Sequence, residues 1–559
     1  MIGALAAAAA LALVAAPTAS AQTPKTIVSL TFDDGNADQM PAAASMKANG
    51  MAGTFYIPSG FVDQPNYMTV ANLKSLAADG HEIGGHSVTH PDLTTLPTAE
   101  AQRQICNDRV NLTNWGFQVR SFAYPFAAAT SGTETIARNC GYNSARGLGD
   151  IQSRFGCTGC PYSETVPPPD LYYTKALDQV DNTWTLADLQ KSVTNAETRT
   201  GGWVQITFHH ICAGTSNSCD PLGISQSVFD QFLTWLKPRA TTNNTVVQTV
   251  GNTVGGAVKP LVNGPVVNPP APGVNAVQNA SLETNGTNGL PSCWMAGGYG
   301  TNTPTFATLT SGAHSGTKSE RLTMAGYQDG DAKLLPTFDL GGCSPSVTAG
   351  HTYSLRAWYT STAVTQFAVY YRTGLGTWVY WTSSPWFAAS STFTQAVWTT
   401  PAVPTGATGL SFGLNLFSNG QLITDDYAAY DSNGAPAVAS TSSATAQQVA
   451  APTTTAAPTT AAPSAAAAAA PSASTPPSGT TPTPAPGPSV AAQAAAPPGA
   501  SVPVPPQARK PRNVPTGPAA HRDRDQRRAP TGPVVNYVPG PTQVKPGTVI
   551  LLGEGTMSG

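Results

Sequence analysis

The run Ile27-Val28-Ser29-Leu30-Thr31-Phe32 constrains this chain more than any other stretch, because it reads as a buried strand that ends on two adjacent acids. β-Branched and apolar residues fill it, and Gly35 stops it directly after Asp33 and Asp34. Two carboxylates at a strand's end are costly to bury unless a cation or a metal partners them. Neighbouring strand residues point to opposite faces, so Asp33 and Asp34 are expected to do different jobs. A glycosidase pair must flank one bond from two sides, about 5–9.5 Å apart, which adjacent residues do poorly. One metal ligand beside one general base fits better.

From about residue 25 to 240 strands alternate with helices. Gly53 to Ile57 and His81 to Gly84 read as strands, Val70 to Ala78 as a helix closed by Gly80, and Thr98 to Asn114 as a helix with Thr98 as N-cap. A strand follows over Val119 to Tyr124, then a helix from Leu186 to Thr198, the strand Trp203 to Phe208 and a helix from Ser227 to Leu236. Repeated βα units imply an α/β fold, a parallel sheet or barrel with function at the C-terminal ends of its strands.

Residues 241–275 lose this rhythm and read as a linker. From 276 to 432 the period becomes two, as in Leu410-x-Phe412-x-Leu414-x-Leu416, which predicts an all-β sandwich. Residues 436–559 are rich in Pro, Ala, Thr and Ser and cannot bury enough apolar surface to offset chain entropy, so a disordered tail is expected. Residues 1–21 form an Ala-rich apolar stretch ending Ala19-Ser20-Ala21, a signal-peptide cleavage pattern, which predicts a secreted, extracellular protein. No later stretch reaches the ~20 continuous apolar residues of a transmembrane helix.

The formal charge of −2 gives no reason to expect a nucleic-acid partner. Eight cysteines in an exported chain predict disulfides. Cys293 and Cys343 can only pair with each other within their domain, and Cys157-x-x-Cys160, with no second such pair to complete a zinc knuckle, reads as a bridged loop.

The partner of the two acids is His86-Ser87-Val88-Thr89-His90, after the third strand. His-x-x-x-His sets two imidazoles one turn apart on a helical face. With Asp34 they make three ligands of the kind a catalytic divalent metal uses, leaving a position open for water.

Thr31-Phe32-Asp33-Asp34-Gly35 and His86-Ser87-Val88-Thr89-His90 resemble the first two motifs of the polysaccharide deacetylases of the chitooligosaccharide and peptidoglycan deacetylase type, over about residues 25–240. The resemblance implies a distorted (β/α) barrel, a Zn²⁺ site that also takes Co²⁺, Asp33 as general base, and Asp34, His86 and His90 as metal ligands. Phe122-Ala123-Tyr124-Pro125-Phe126 resembles the third motif, whose usual pattern is Arg-Pro-Pro followed by an aromatic. The family's Arg falls at Ala123, and its oxyanion donor at the backbone N–H of Phe126. Ile206-Thr207-Phe208-His209 resembles the Leu-x-Leu-His motif and implies His209 as general acid, with His210 facing away. The family's Asp-Trp motif is absent as such, which leaves Asp178 or Asp181 to orient His209.

The predicted sandwich carries Trp294, Trp358, Trp378, Trp381, Trp386 and Trp398, which serve either as sugar-stacking platforms or as core. Asn279-Ala280-Ser281-Leu282-Glu283 and Asp425-Asp426 resemble the flanks of carbohydrate-binding jelly rolls, a resemblance that implies a structural Ca²⁺. Together these features imply a monomeric secreted hydrolase that removes N-acetyl or O-acetyl groups from a polysaccharide such as chitin or peptidoglycan. The basic residues Arg509-Lys510 to Arg527-Arg528, diluted by Asp523 and Asp525, either touch an anionic cell wall or are a solvated stretch with no partner, and the solvated reading is the default for such a run. Two alternatives are an acetylxylan esterase using the same residues and a catalytically inactive glycan-binding wall protein. The second has no need of a base and an acid.

Overall fold

The computed structural model describes residues 25–215, 219–287 and 289–438, with short strands at 443–444, 501–503 and 550–552. The expected signal segment and most of the Pro- and Ala-rich tail lie outside the described residues.

Seven parallel strands form the sheet of the first domain. They are β1 (Thr26–Phe32), β2 (Thr54–Ile57), β3 (Glu82–Gly85), β4 (Ser121–Ala123), β5 (Ser144–Arg146), β6 (Gly202–Phe208) and β9 (Thr245–Val247); β7 (His210–Cys212) and β8 (Gly223–Ser225) pair apart from them. The order is β5-β4-β3-β2-β1-β6, with β9 also on β1. Every residue of β1 is buried, because it has strands on both sides and helices over the sheet. The helices are α1 (Met40–Ala48), α2 (Val70–Ala78), α3 (Thr98–Asn114), α4 (Ser131–Asn139), α5 (Leu186–Glu197), α6 (Gln226–Leu236), α7 (Arg239–Thr242) and α8 (Val250–Val254). Thr69 and Thr185 cap α2 and α5 with reciprocal capping boxes, whereas Pro97, not Thr98, precedes α3. The arrangement is a parallel β/α half-barrel.

The linker expected from residue 241 begins later. Thr245, Val246 and Val247 pair with Thr26, Ile27 and Val28, so β9 completes the sheet beside the strand that carries the acids. A three-residue strand between polar runs has no period to betray it. Beyond α8 the chain stays pinned to the first domain. Arg109 donates to the carbonyls of Lys259 and Pro260, and Lys259 Nζ donates to the Tyr142 carbonyl.

The second domain is the expected antiparallel sandwich. A five-stranded sheet, in the order β10 (Trp294–Tyr299), β13 (Asp331–Pro336), β18, β15, β16, faces a six-stranded one that contains β11 (Thr303–Leu309), β12, β19 (Gly420–Asp431), β14 (Tyr353–Ser361) and β17 (Ser390–Thr399). The strands used below are β12 (Ser319–Ala325), β15 (Phe367–Thr373), β16 (Trp378–Ser383) and β18 (Ala407–Leu416). Alternation along β15 places Phe367 and Val369 in the core between the sheets. Ala368 and Tyr370 face the other way and join Phe338, Trp378 and, from the first domain, Phe61. This part of the five-stranded sheet is therefore buried on both faces, and the two domains share an apolar seam. All eight cysteines pair, as Cys106–Cys140, Cys157–Cys160, Cys212–Cys219 and Cys293–Cys343.

Candidate metal centre and its neighbours

Asp33 and Asp34 leave the end of β1 buried, at 2% and 4% exposure, and they serve two different clusters. Asp34 Oδ1 lies 3.4 Å from His86 Nε2 and 3.3 Å from His90 Nε2, and the two Nε2 atoms are 3.2 Å apart. Ligand atoms on a tetrahedral ion with bonds of 2.0–2.1 Å stand about 3.3 Å from one another. Among the described residues this is the only group of three or more His, Cys, Asp or Glu whose ligand atoms converge in this way. Both carboxylate oxygens of Asp34 are buried without a hydrogen-bond donor. A buried acid left without donors is what an absent cation would explain.

The ligand nitrogens are prepared for such an ion. His86 Nδ1 lies 2.8 Å from the Ala123 carbonyl, which places the proton on Nδ1 and leaves the Nε2 lone pair facing Asp34. Burial lowers the His90 pKa to about 4 against the opposing pull of Asp34, so its imidazole is neutral at pH 7. Burial raises the Asp34 carboxyl, but His90 and His86 more than reverse that and keep it ionised. Burial lowers the His86 pKa, but Asp34 and Asp33 more than reverse that and raise it. One carboxylate and two imidazole nitrogens are a donor set that fits a divalent ion.

The histidine pair does not sit on a helix. His86–His90 forms an irregular loop after β3, and Ser87 and His90 take left-handed φ values of 66° and 57°. A sharp turn therefore makes the convergence that i, i+4 helical spacing was expected to make.

Asp33 has a partner that the sequence motifs did not single out. Arg146 Nη2 donates to both of its oxygens, at 2.5 and 2.6 Å, with Arg146 only 1% exposed. The guanidinium also lies over the Tyr56 ring at 5.1 Å. Ala123 and Arg146 are paired directly across β4 and β5, so the charge missing from the third motif reappears on the adjacent strand. The available signal was position, since Arg146 ends a short strand at the functional edge of the sheet. Arg120 turns elsewhere, to Asn252.

His209 Nε2 lies 4.0 Å from Asp33 Oδ2, on the same side as the site. His210 points away, with Nδ1 2.7 Å from Asp38 and Nε2 3.3 Å from the Asn36 amide. His209 Nδ1 donates to neither Asp178 nor Asp181 and has no hydrogen-bond partner among the described residues. Asp181 instead accepts from the N–H and hydroxyl of Thr183 at 2.8 and 2.5 Å, fixing the turn before α5. Phe126 has φ 57° in the turn after β4, and its ring packs on His90 at 4.8 Å.

The acids expected to hold Ca²⁺ are already engaged. Glu283 accepts the N–H groups of Thr317 and Lys318, and Asp425 those of His314 and Ser315. Asp426 lies 2.6 Å from His314 Nδ1 and accepts from the Ser315 hydroxyl. These bonds anchor the 314–318 turn. Of the six tryptophans, Trp294 and Trp378 are core, while Trp358, Trp381, Trp386 and Trp398 are half-buried.

Comparison with known proteins agrees with this geometry. The polysaccharide deacetylase family matches residues 20–145, which include Asp33, Asp34, His86 and His90. The N-terminal domain belongs to that family. A peptidoglycan-N-acetylmuramic acid deacetylase of Bacillus subtilis is 36% identical over 92 residues, 16% of this chain and 32% of its own length. A chitin deacetylase of Colletotrichum lindemuthianum is 28% identical over 125 residues, 21% of this chain and 48% of its own. A chitooligosaccharide deacetylase of Sinorhizobium fredii is 28% identical over 119 residues, 20% of this chain and 53% of its own. The chain thus spans about a third to a half of the length of these relatives.

Proposed function

We propose that the protein is a secreted, metal-dependent hydrolase that removes acetyl groups from an N-acetylated polysaccharide. The observation that carries this reading is the convergence of Asp34, His86 and His90 beside a second, separately paired carboxylate, Asp33. The three relatives above are all named for N-acetylated glycans, which favours an amide over the O-acetyl ester of xylan.

An amide resists hydrolysis because its nitrogen is a poor leaving group. When bound, a divalent ion such as Zn²⁺ supplies Lewis acidity, lowering the pKa of water to about 7 and drawing charge from the acyl oxygen. In this reading Asp33 accepts the proton of the attacking water, and Arg146 holds its carboxylate in place. The Phe126 N–H donates to the oxygen that gains negative charge. His209 protonates the departing amine. The four disulfides fit an oxidising, extracellular setting.

A glycan-binding surface on the second domain is a further part of this reading, although Trp381 and Trp398 pack against its core and His314 stacks on Trp358. The competing reading, an inactive glycan-binding protein, leaves the buried Arg146–Asp33 pair and the donor-free Asp34 without a purpose. Acetate release from chitin oligomers, peptidoglycan and acetylxylan, each with and without a chelator, tests the proposal. No chelator-sensitive release from any of them would sink it.

A further inference from the structure

One face of α3 joins the metal loop to the second domain. Glu100, Gln104, Asp108 and Asn111 are spaced by four, four and three residues, so they line a single stripe, and all four are buried. Toward the first domain the stripe holds the His86–His90 loop. Gln104 accepts the Thr89 N–H at 3.0 Å, donates to the Thr89 hydroxyl at 2.9 Å, and takes the Val88 N–H on its backbone carbonyl at 3.1 Å. Asp108 accepts the His86 N–H at 2.9 Å and the Ser59 N–H at 2.9 Å.

On its other side the second domain holds the same stripe. Glu100 accepts the N–H groups of Leu340 and Gly342 at 2.8 and 3.2 Å, and Asn111 donates to the Leu375 carbonyl at 2.9 Å. The turn before β16 also reaches past α3. The Thr377 hydroxyl donates to the Gly60 carbonyl at 3.0 Å, and the Gly60 N–H donates to the Val88 carbonyl at 2.8 Å. Gly376 abuts Val88 directly, since a Cβ there would lie 2.5 Å from Val88 Cγ1, and its φ of 90° also requires glycine. Phe61, next to Gly60, packs against Phe338 and Trp378.

The loop has reason to need this grip. Ser87 and the ligand His90 both adopt left-handed backbone, a conformation that persists only where the surroundings hold it. Docking between domains could fall on any surface, but here it falls on the ligand-bearing loop and on the helix that braces it.

We infer that the β-sandwich is a positioning element of the metal centre, its 339–342 and 373–377 turns holding His86 and His90 in ligand geometry through Val88 and the α3 stripe. The inference rests on the metal reading above and gives the second domain a task separate from any glycan binding.

The test uses the full chain and two substitutions in the sandwich. Thr377→Val removes the hydrogen bond to Gly60 without changing volume, and Gly376→Val drives a side chain into Val88. Leu322→Ala, in β12 of the six-stranded sheet, is the control that destabilises the sandwich core away from the seam. Zn²⁺ affinity of metal-stripped protein is measured by competition with a chromophoric chelator, beside the Co²⁺ absorption spectrum and thermal unfolding. Both seam variants are expected to bind Zn²⁺ about tenfold more weakly, the scale of one lost buried hydrogen bond, with altered Co²⁺ bands. Leu322→Ala should lower the melting temperature and keep parental affinity. Parental affinity in Thr377→Val would overturn the inference even if Gly376→Val failed to fold, and so would an equal loss in Leu322→Ala. A parent that binds no divalent ion would defeat the metal reading itself, and the inference with it. That outcome differs from seam variants that bind like the parent.

Discussion

Ala123 and Arg146 face each other as direct partners on β4 and β5, and the Arg146 guanidinium reaches from there to both oxygens of Asp33. A charge at the end of β5 thus serves an acid at the end of β1, with β4, β3 and β2 between them, because the parallel strands all end at the same edge of the curved sheet. Removing one partner of a buried pair costs about 3–5 kcal/mol, as an uncompensated charge is left behind. Arg146→Met should therefore lower both melting temperature and kcat. Adding Ala123→Arg to that variant should recover part of kcat, measured as acetate release. No recovery in the double variant would show that the position of the charge matters as much as its presence.

The two acids should separate cleanly. Asp33→Asn keeps all three converging ligands and should retain metal while losing turnover by about 10²-fold or more, the scale of a general base. His86→Ala should lose metal and turnover together. Metal content by elemental analysis, set beside kcat, checks both. Loss of metal in Asp33→Asn would mean that the two carboxylates share one role.

The adjacent histidines make a second contrast. His209 lies on the Asp33 side, and its replacement by Ala should remove most of kcat with metal content unchanged. His210 is bonded to Asp38 and Asn36 instead, so His210→Ala should be mild. Asp181→Ala should likewise spare the alkaline limb of the pH–rate profile, because that carboxylate fixes the Thr183 turn. A shifted alkaline limb in Asp181→Ala would restore it as the residue that orients His209.

Glu320 should tie the stability of the second domain to pH. Burial raises its pKa from 4.5 to about 7, against the Thr308 hydroxyl and Arg321, and one of its oxygens has no donor. A carboxyl raised in the folded state contributes stability that is complete below about 4.5 and is lost as pH rises through about 7. Glu320→Gln should raise the melting temperature by about 2–4 °C at pH 8 and leave it unchanged at pH 4.5. An equal shift at both pH values would refute the assignment.

Much of this is legible in the sequence. The apolar run before Asp33 announced a central strand, and the change of period after residue 275 announced a second fold. The grouping of Asp34, His86 and His90 was readable because an acid at a strand's end and a His-x-x-x-His pair together make a metal-ligand set, and the three do converge. The helical geometry assigned to His86–His90 was wrong, since spacing alone does not distinguish a helical turn from a loop with two left-handed residues. Arg146 escaped because it acts across a strand pair, and pairing register has no signature in one short strand. A period change says that two domains exist but not which face each turns to the other. The contact of Gly376 with Val88 was therefore invisible.

The hydrogen bond from Thr377 to Gly60 joins residues 317 positions apart. Contacts of such separation form late, since the intervening chain must be made and folded before they can close. The acids and histidines of the first domain leave the ribosome, and cross any membrane, well ahead of the turn that braces them. On the seam inference the chain would emerge with its ligands in order but its loop ungripped, and would gain full metal affinity only when the sandwich closes over α3. Maturation would then be timed by the sandwich, with activity appearing where folding finishes rather than where synthesis begins.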